Sequence, residues 1–175
     1  MLSAEVLAKL NEQVGHELYS SHFYLQMSAW CAAQGLDGCA RFLRVHSQEE
    51  LGHMYRLFDY VSQSGEQPVI PALEKPPHEF GSVREVFERI LEHERFITAR
   101  INDLVATTFE RRDFFTFNFL QWYVAEQHEE EALFKTLLDK LTLVGTDDRG
   151  LYFFDAELSR AKAEKPAASS PEATD

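Results

Sequence analysis

Residues 65–81 read GEQPVIPALEKPPHEFG and hold four of the six prolines in the chain. On either side, residues 4–64 and 82–144 contain no proline, so both stretches are free to form long helices. The remaining two prolines lie near the carboxyl end, at positions 166 and 171. The segment therefore predicts two helical halves joined by one long loop.

Each half is divided again by shorter breaks. Glycines at 35 and 38 interrupt the first half, and the polar triplet 111–113 predicts a turn in the second. The predicted N-caps are Asp37, Asp113 and Ser82, the last with Glu85 in the capping-box pattern. Helices are predicted near 4–33, 38–64, 83–110, 114–144 and 147–161. The domain is thus expected to span residues 1–161, and the Ala-, Ser-, Pro- and Glu-rich residues 162–175 to form a disordered tail.

The length of the loop decides how the two halves can be arranged. An extended chain covers ~3.3 Å per residue, so residues 65–81 can span ~56 Å. The second helix, at a rise of ~1.5 Å per residue, is only ~40 Å long. The loop can therefore run the length of a bundle, which lets the second and third helices lie parallel. The prediction is an all-α fold: a four-helix bundle with one long crossover and a short fifth helix.

Composition excludes several classes of function. The chain has 29 acidic residues and 17 Lys and Arg, a net charge of −12, which disfavours nucleic acid and anionic membrane surfaces as partners. Two cysteines, at 31 and 39, are too few for a disulfide framework. The amino-terminal residues show no signal-peptide pattern, and the longest uncharged stretch is broken by polar residues. A cytoplasmic protein is expected.

The four long predicted helices each carry an apolar seam that turns polar or ionisable near its middle. On the fourth helix, the predicted seam is Leu120, Val124, Gln127, Glu130 or Glu131, Phe134, Leu138 and Leu141. Across all four helices, the central polar positions are Glu17, Glu50, His53, Glu94, Gln127 and Glu130. One glutamate in a seam would be unremarkable, but four seams broken at matching depth indicate a shared polar centre.

The polar positions also repeat along the chain. Glu17 and Glu50 are 33 residues apart, as are Glu94 and Gln127. A shift of 77 residues moves Glu17, Glu50 and His53 onto Glu94, Gln127 and Glu130. Each half therefore supplies one side chain from its first helix and an i, i+3 pair from its second, and such pairs share a helix face.

This pattern predicts a metal site. No Lys or Arg lies on the four seams, and an unpaired buried carboxylate costs several kcal/mol. Two divalent ions would balance the four glutamates. Carboxylates with one imidazole and no thiolate suit iron or manganese better than structural zinc. Two such ions, bridged by a carboxylate for which Glu50 is best placed, could each give one electron to dioxygen.

Three longer motifs resemble a known family. They are LNEQ at 10–13 ahead of ELYSS at 17–21, QEELGH at 48–53 and FNFLQWYVAEQHEEE at 117–131. With them the chain resembles the bacterial non-haem ferritins over about residues 1–160. The resemblance implies a 24-subunit hollow shell that acts as a ferroxidase, oxidising Fe(II) with dioxygen or peroxide and storing Fe(III) mineral. It also implies that the short last helix packs at a four-fold axis of the shell.

The resemblance assigns roles to individual residues. Glu17, Glu50 and His53 look like ligands of one iron, and Glu50, Glu94 and Glu130 like those of the other. Gln127 resembles a hydrogen-bonding neighbour that is at most a weak ligand. Glu49, Glu126 and Glu129, again with Glu130, resemble a third iron site, although such a charge run is also typical of a solvated helix face. Tyr24 and Trp122 resemble aromatic electron donors, a role that competes with simple core packing.

Departures from related families narrow the interpretation. Bacterioferritins have a histidine where Glu130 stands and a methionine where Gly52 stands, so no haem is expected. Rubrerythrin-type peroxidases carry a Cys-rich module that two cysteines cannot supply. His46 is expected to be a core histidine with satisfied partners, and His128 is not expected to be a ligand. Two other functions stay open: a discrete di-iron oxidoreductase or peroxide scavenger without storage, and a metal buffer without enzymatic activity.

Overall fold

The computed structural model describes residues 2–161, and these form five helices and no strand. The helices are α1 (Ala4–Ala33), α2 (Asp37–Gln63), α3 (Val83–Glu110), α4 (Phe114–Val144) and α5 (Asp148–Ala161). All five predicted helices and the all-α fold class are confirmed. None of the described helices is long and apolar enough to cross a membrane. The tail predicted for 162–175 lies outside the described residues.

The four long helices form two hairpins, α1 with α2 and α3 with α4, each joined by a three-residue turn. The amino-terminal residues of α2 and α3, such as Cys39 and Val83, lie in one apolar cluster. Their carboxyl-terminal residues, such as Leu57 and Ile101, lie in a second cluster at the other end. The two helices are therefore parallel, as the length of the crossover predicts.

The crossover loop is held against α1 by specific contacts. The backbone N–H of Val69 donates to the side-chain oxygen of Asn11 at 2.9 Å. A Cβ on Gly15 would lie 2.4 Å from Cγ of Pro71, so only glycine allows this approach between helix and loop. These contacts lie on α1 six and two residues before Glu17, so the loop supports the part of the helix that leads to that side chain.

The start of α2 differs from the sequence prediction. Asp37 is the first residue of the helix and not its N-cap, and Leu36, which takes the cap position, has no side-chain hydrogen bond there. The carboxylate of Asp155, from α5, instead accepts the N–H groups of Gly38 and Cys39 at 3.0 and 2.8 Å. The prediction was wrong because the anion that a helix N-terminus favours comes from a distant helix.

The other predicted caps are present. The side chain of Asp113 accepts the backbone N–H of Thr116 at the start of α4. Ser82 accepts the N–H of Glu85 at 3.1 Å, while the Glu85 carboxylate reaches back to the N–H of Gly81 at 2.7 Å. This is a capping box with its return bond displaced by one residue.

The seam predicted for α4 is wrong at two positions. Val124 is 37% exposed, whereas Tyr123 is completely buried in the second cluster. Leu137 is likewise buried where Leu138 was predicted. The buried positions follow alternating three- and four-residue steps that place Tyr123 on the inward face, seven residues before Glu130.

Candidate metal centre

A layer of buried polar side chains separates the two apolar clusters, and α1, α2, α3 and α4 each contribute to it. The buried members predicted from the sequence are Glu17, Glu50, Glu94, Gln127 and Glu130. Glu17 has 0% of its surface exposed. No lysine or arginine is buried anywhere in residues 2–161, so no permanent cation within the bundle balances these carboxyl groups.

Three of the predicted ligands already lie together. One ligand atom from each of Glu17, Glu50 and His53 lies within 4.8 Å of the others. Nδ1 of His53 is 3.1 Å from Oε2 of Glu50 and 3.8 Å from Oε2 of Glu17. Among the described residues this is the only group of three or more such side chains at that spacing. Two carboxylates and one imidazole are hard and intermediate donors, which suit Fe(II).

The opposite side of the centre is organised around Glu94. Its Oε1 accepts a hydrogen bond from the Tyr24 hydroxyl at 2.5 Å, and its Oε2 accepts from the Gln127 amide at 3.1 Å. The same Gln127 amide is 3.3 Å from the backbone oxygen of Glu94. Gln127 is thus a hydrogen-bonding neighbour of Glu94, the relation that the family resemblance implies for it.

Glu130 lies beside His46, an imidazole to which the sequence assigned no role at the centre. Nε2 of His46 is 3.8 Å from Oε2 of Glu130, and Nδ1 is 3.1 Å from the backbone oxygen of Phe42. The imidazole ring packs near the rings of Tyr24 and Phe134, at centroid distances of 5.7 and 5.4 Å. His46 is therefore a core histidine that also faces one of the predicted ligands.

Burial raises the pKa of three carboxyl groups in this layer. For Glu17 and Glu50, desolvation raises the pKa well above the ordinary value, and a neighbouring carboxyl group raises it further. For Glu94, desolvation also raises the pKa, while hydrogen bonds from Tyr24 and Gln127 lower it. Without metal, burial therefore favours the protonated forms of these groups. A divalent cation would displace those protons and supply the missing positive charge.

Of the residues predicted for a third iron site, Glu49 on α2 and Glu126 on α4 lie beside the centre. The side chains of Glu49 and Glu126 are partly buried, and Glu129 is exposed. Oε1 of Glu126 lies 3.9 Å from Nε2 of His53, and Oε2 of Glu49 lies 3.8 Å from Nδ1 of His46. The three glutamates are not gathered as closely as Glu17, Glu50 and His53, so the third site stays a prediction. His128, which was not expected to be a ligand, is exposed.

Trp122 lies in an aromatic stack next to the centre. The Trp122 ring stacks on the ring of Tyr123, with 4.3 Å between the two centroids. The guanidinium group of Arg56, on α2, lies 3.9 Å from the centroid of the Trp122 ring. The His53 ring is 5.4 Å away. This packing is compatible with both roles considered for Trp122, core packing and electron donation.

Sequence reasoning missed two polar residues at the centre. Gln13 is 2% exposed, and its amide donates to Oε1 of Glu17 at 2.5 Å. Tyr123 is completely buried, and its hydroxyl group faces Glu17 and Gln13. Gln13 could have been found because it lies one helical turn before Glu17 on the same face. Tyr123 was hidden by the incorrect choice of Val124.

Comparisons with known sequences agree with this geometry. A family model described as a ferritin-like domain matches residues 7–144. A probable bacterial non-heme ferritin-like protein of Haemophilus influenzae is 54% identical over 158 residues, which cover 90% of this chain and 96% of that protein. A bacterial non-heme ferritin of Escherichia coli O157:H7 is 53% identical over 159 residues, covering 91% and 96%.

Solved structures give the same result. An open pore ferritin from the archaeon Archaeoglobus fulgidus superposes with a TM-score of 0.89 at 44% identity, covering 91% of this chain and 98% of that one. A ferritin of Chlorobium tepidum superposes with a TM-score of 0.82 at 48% identity, covering 92% and 99%. In both cases the likeness extends over nearly the whole described bundle.

Proposed function

The chain belongs to the ferritin-like family, and we propose that it is an iron-storage protein with ferroxidase activity. It would oxidise Fe(II) to Fe(III) at the buried centre and keep the ferric product as mineral inside a shell of identical subunits. The observation that carries the proposal is the set of four buried carboxyl groups with no buried Lys or Arg, beside His53 and His46. Such a set is costly to bury unless cations bind it.

The residues of the centre suit a pair of iron ions as substrate. Glu17, Glu50 and His53 would hold one Fe(II), and Glu94 and Glu130 would hold the other, with Glu50 shared between them. Each Fe(II) gives one electron, so a pair reduces dioxygen by two electrons to peroxide, or peroxide by two electrons to water. The carboxyl groups release protons as Fe(II) binds, and Tyr24 and Gln127 keep the Glu94 carboxylate oriented.

Assembly into a shell, for which we propose 24 subunits, is supported by apolar side chains on the outside of the subunit. Phe115 is 90% exposed, and Phe109 and Phe114 next to the α3–α4 turn are also exposed. On α5, Phe154 and Leu158 are buried within the subunit while Tyr152 is 70% exposed. Large exposed apolar side chains of this kind are typical of surfaces that contact other subunits.

The finer parts of the proposal follow the resemblance to bacterial non-haem ferritins. We propose two irons per subunit at the centre, a third at Glu49, Glu126 and Glu129 together with Glu130, and no haem. Either dioxygen or peroxide is the oxidant, and the protein works in the cytoplasm. We propose that Tyr24 and Trp122 supply electrons, which is supported by the hydrogen bond between Tyr24 and Glu94 and by the 5.4 Å between the rings of Trp122 and His53.

The experiment is an aerobic Fe(II) titration of the metal-free protein, following both oxidation and soluble iron per subunit. A fast phase that ends near two Fe per subunit, followed by slow uptake far beyond that amount, is the expected result. Particle mass measured in parallel should correspond to 24 copies of the 20.2 kDa chain.

Other outcomes would each remove part of the proposal. A fast phase followed by precipitation would leave the di-iron centre and contradict storage, as for a discrete di-iron oxidoreductase. If the protein binds Fe(II) but neither dioxygen nor peroxide oxidises it, the protein is a metal buffer and not a ferroxidase. A particle of one or two subunits would contradict the shell.

A further inference from the structure

Glu17 is held by a hydrogen bond on one of its two oxygens. The Gln13 side-chain amide, 2% exposed, donates to Oε1 of Glu17 at 2.5 Å. The two residues are four apart on α1, so the helix itself fixes their relative position. Because Gln13 is buried between helices, its amide has no water to exchange for this bond.

The other oxygen of Glu17 points to the metal side of the centre. Oε2 is 3.8 Å from Nδ1 of His53 and forms no hydrogen bond of ordinary geometry among the described residues, although the Glu17 carboxyl group interacts with Glu50 and Tyr123. A buried polar atom without a partner is rare in native proteins and calls for a cause. Here Oε2 lies 3.8 Å from Nδ1 of His53, in the group that Glu17 forms with Glu50 and His53.

Tyr123 completes the surroundings of Glu17. The side chain is completely buried, and its hydroxyl group forms no hydrogen bond of ordinary geometry among the described residues. The polar groups that it faces are Glu17, Glu50 and Gln13. Tyr123 is therefore the second buried side chain, after Gln13, whose polar group lies next to the Glu17 carboxyl group.

Glu94, on the other side of the centre, is held in a different way. Both of its oxygens already accept hydrogen bonds, one from Tyr24 and one from Gln127. Glu17 and Glu94 occupy equivalent positions in the 77-residue repeat. They nevertheless differ in how many of their carboxylate oxygens accept hydrogen bonds.

We infer that Gln13 and Tyr123 are positioning residues that commit Glu17 to binding iron through Oε2 alone. This inference rests on the proposed function and names residues of the same centre. A carboxylate with one oxygen engaged offers a single ligand atom in a fixed direction, and this strengthens binding because less freedom is lost when the ion arrives. The ion held by Glu17, Glu50 and His53 gains from this arrangement, and the ion held by Glu94 and Glu130 does not.

The test compares Gln13→Met and Tyr123→Phe in the full-length assembled protein. Met matches Gln in size without a donor, and Phe removes only the hydroxyl group of Tyr123, so both variants should fold. Tyr60→Phe is the matched control, because it removes a hydroxyl bonded to Thr116 at 2.8 Å and outside the centre. The probe is Co(II), titrated without oxygen so that binding is measured apart from oxidation.

Gln13→Met should weaken binding of the ion at Glu17, Glu50 and His53 by about tenfold, as expected for the loss of one hydrogen bond to a charged group. Tyr123→Phe should weaken binding of the same ion by more than about twofold. The second ion should change by less than about twofold, and the control should match the unsubstituted protein. Crystals soaked in Zn(II) should show Glu17 bound through Oε2 alone in the unsubstituted protein and through both oxygens in Gln13→Met.

Equal weakening of both ions would indicate a general structural role and overturn the inference, as would unchanged affinities. Glu17 bound through both oxygens in the unsubstituted protein would also overturn it. Failure of the unsubstituted protein to bind Co(II) at all would instead remove the proposed function.

Discussion

The phenolic oxygen of Tyr24 lies 2.5 Å from Oε1 of Glu94, which joins α1 to α3 at the middle of the bundle. Both side chains are buried. Burial raises the pKa of the Glu94 carboxyl group, and the hydrogen bond from Tyr24 lowers it. Tyr24 therefore acts on the centre through the orientation and charge of Glu94, whether or not it also gives up an electron.

Replacement of Tyr24 by Phe should slow the fast phase of Fe(II) oxidation by about tenfold, because Glu94 loses one of its two side-chain donors. Stopped-flow absorbance at two Fe(II) per subunit measures the rate. Tyr55→Phe, at an exposed position on α2, is the control and should leave the rate unchanged. An unaltered rate in Tyr24→Phe would show that Gln127 alone orients Glu94.

Glu50→Ala should reduce the fast phase by about a hundredfold or more, since the carboxylate proposed to be shared by both ions is removed. The mass of the assembled particle should not change, because Glu50 lies inside the subunit. Glu88→Ala provides the control, as it removes only an exposed ion pair with Arg84. Undiminished initial rates in Glu50→Ala would exclude Glu50 from the shared position.

The metal-free protein should become less stable as the pH rises above 4.5, the ordinary value for a glutamate. Above that pH the unfolded chain releases protons that the folded protein retains, because the folded pKa values of Glu17 and Glu50 are raised. The stability that these two groups contribute is therefore fully present below pH 4.5. It is lost as the pH rises toward their raised pKa values in the folded protein. Thermal unfolding in chelator, from pH 4.5 to neutral, measures the decline.

Glu17→Gln and Glu50→Gln serve as the comparison for this pH dependence. Each should flatten the decline, because a neutral amide replaces a group whose ionisation opposes folding. Added Zn(II) should raise the unfolding temperature most at neutral pH, where the metal replaces protons. A decline of equal steepness in the variants would assign the effect to other groups.

Asp155→Ala should destabilise the subunit by about 1–2 kcal/mol, since the N–H groups of Gly38 and Cys39 lose their acceptor. Denaturant unfolding monitored by circular dichroism measures the change. Asp59→Ala, an exposed change on α2, should have almost no effect. Equal stability of the two variants would mean that water caps α2 as well as Asp155 does.

The sequence was most informative where a pattern is local and periodic. Helix limits follow from proline, glycine and cap positions, and the broken seams place Glu17, Glu50 and Glu94 inside the bundle, where the structure has them. The same periodicity is ambiguous within one turn, which is why Val124 was chosen in place of Tyr123.

Contacts between distant parts of the chain were not predictable in this way. The capping of α2 by Asp155 joins residues 116 or more positions apart, and no spacing rule connects them. Gln13 was overlooked for another reason: a glutamine on a helix is usually solvated, and only the packing of α1 against its neighbours buries it.

The division of the apolar interior into two clusters has a consequence for synthesis on the ribosome. The cluster that contains Val6 and Leu57 is complete once Tyr123 has been made, so it can form while the rest of the chain is still being translated. The other cluster needs Phe154 and Leu158 from the final helix. The end of the bundle that holds Cys31 therefore cannot pack fully until α5 has been made.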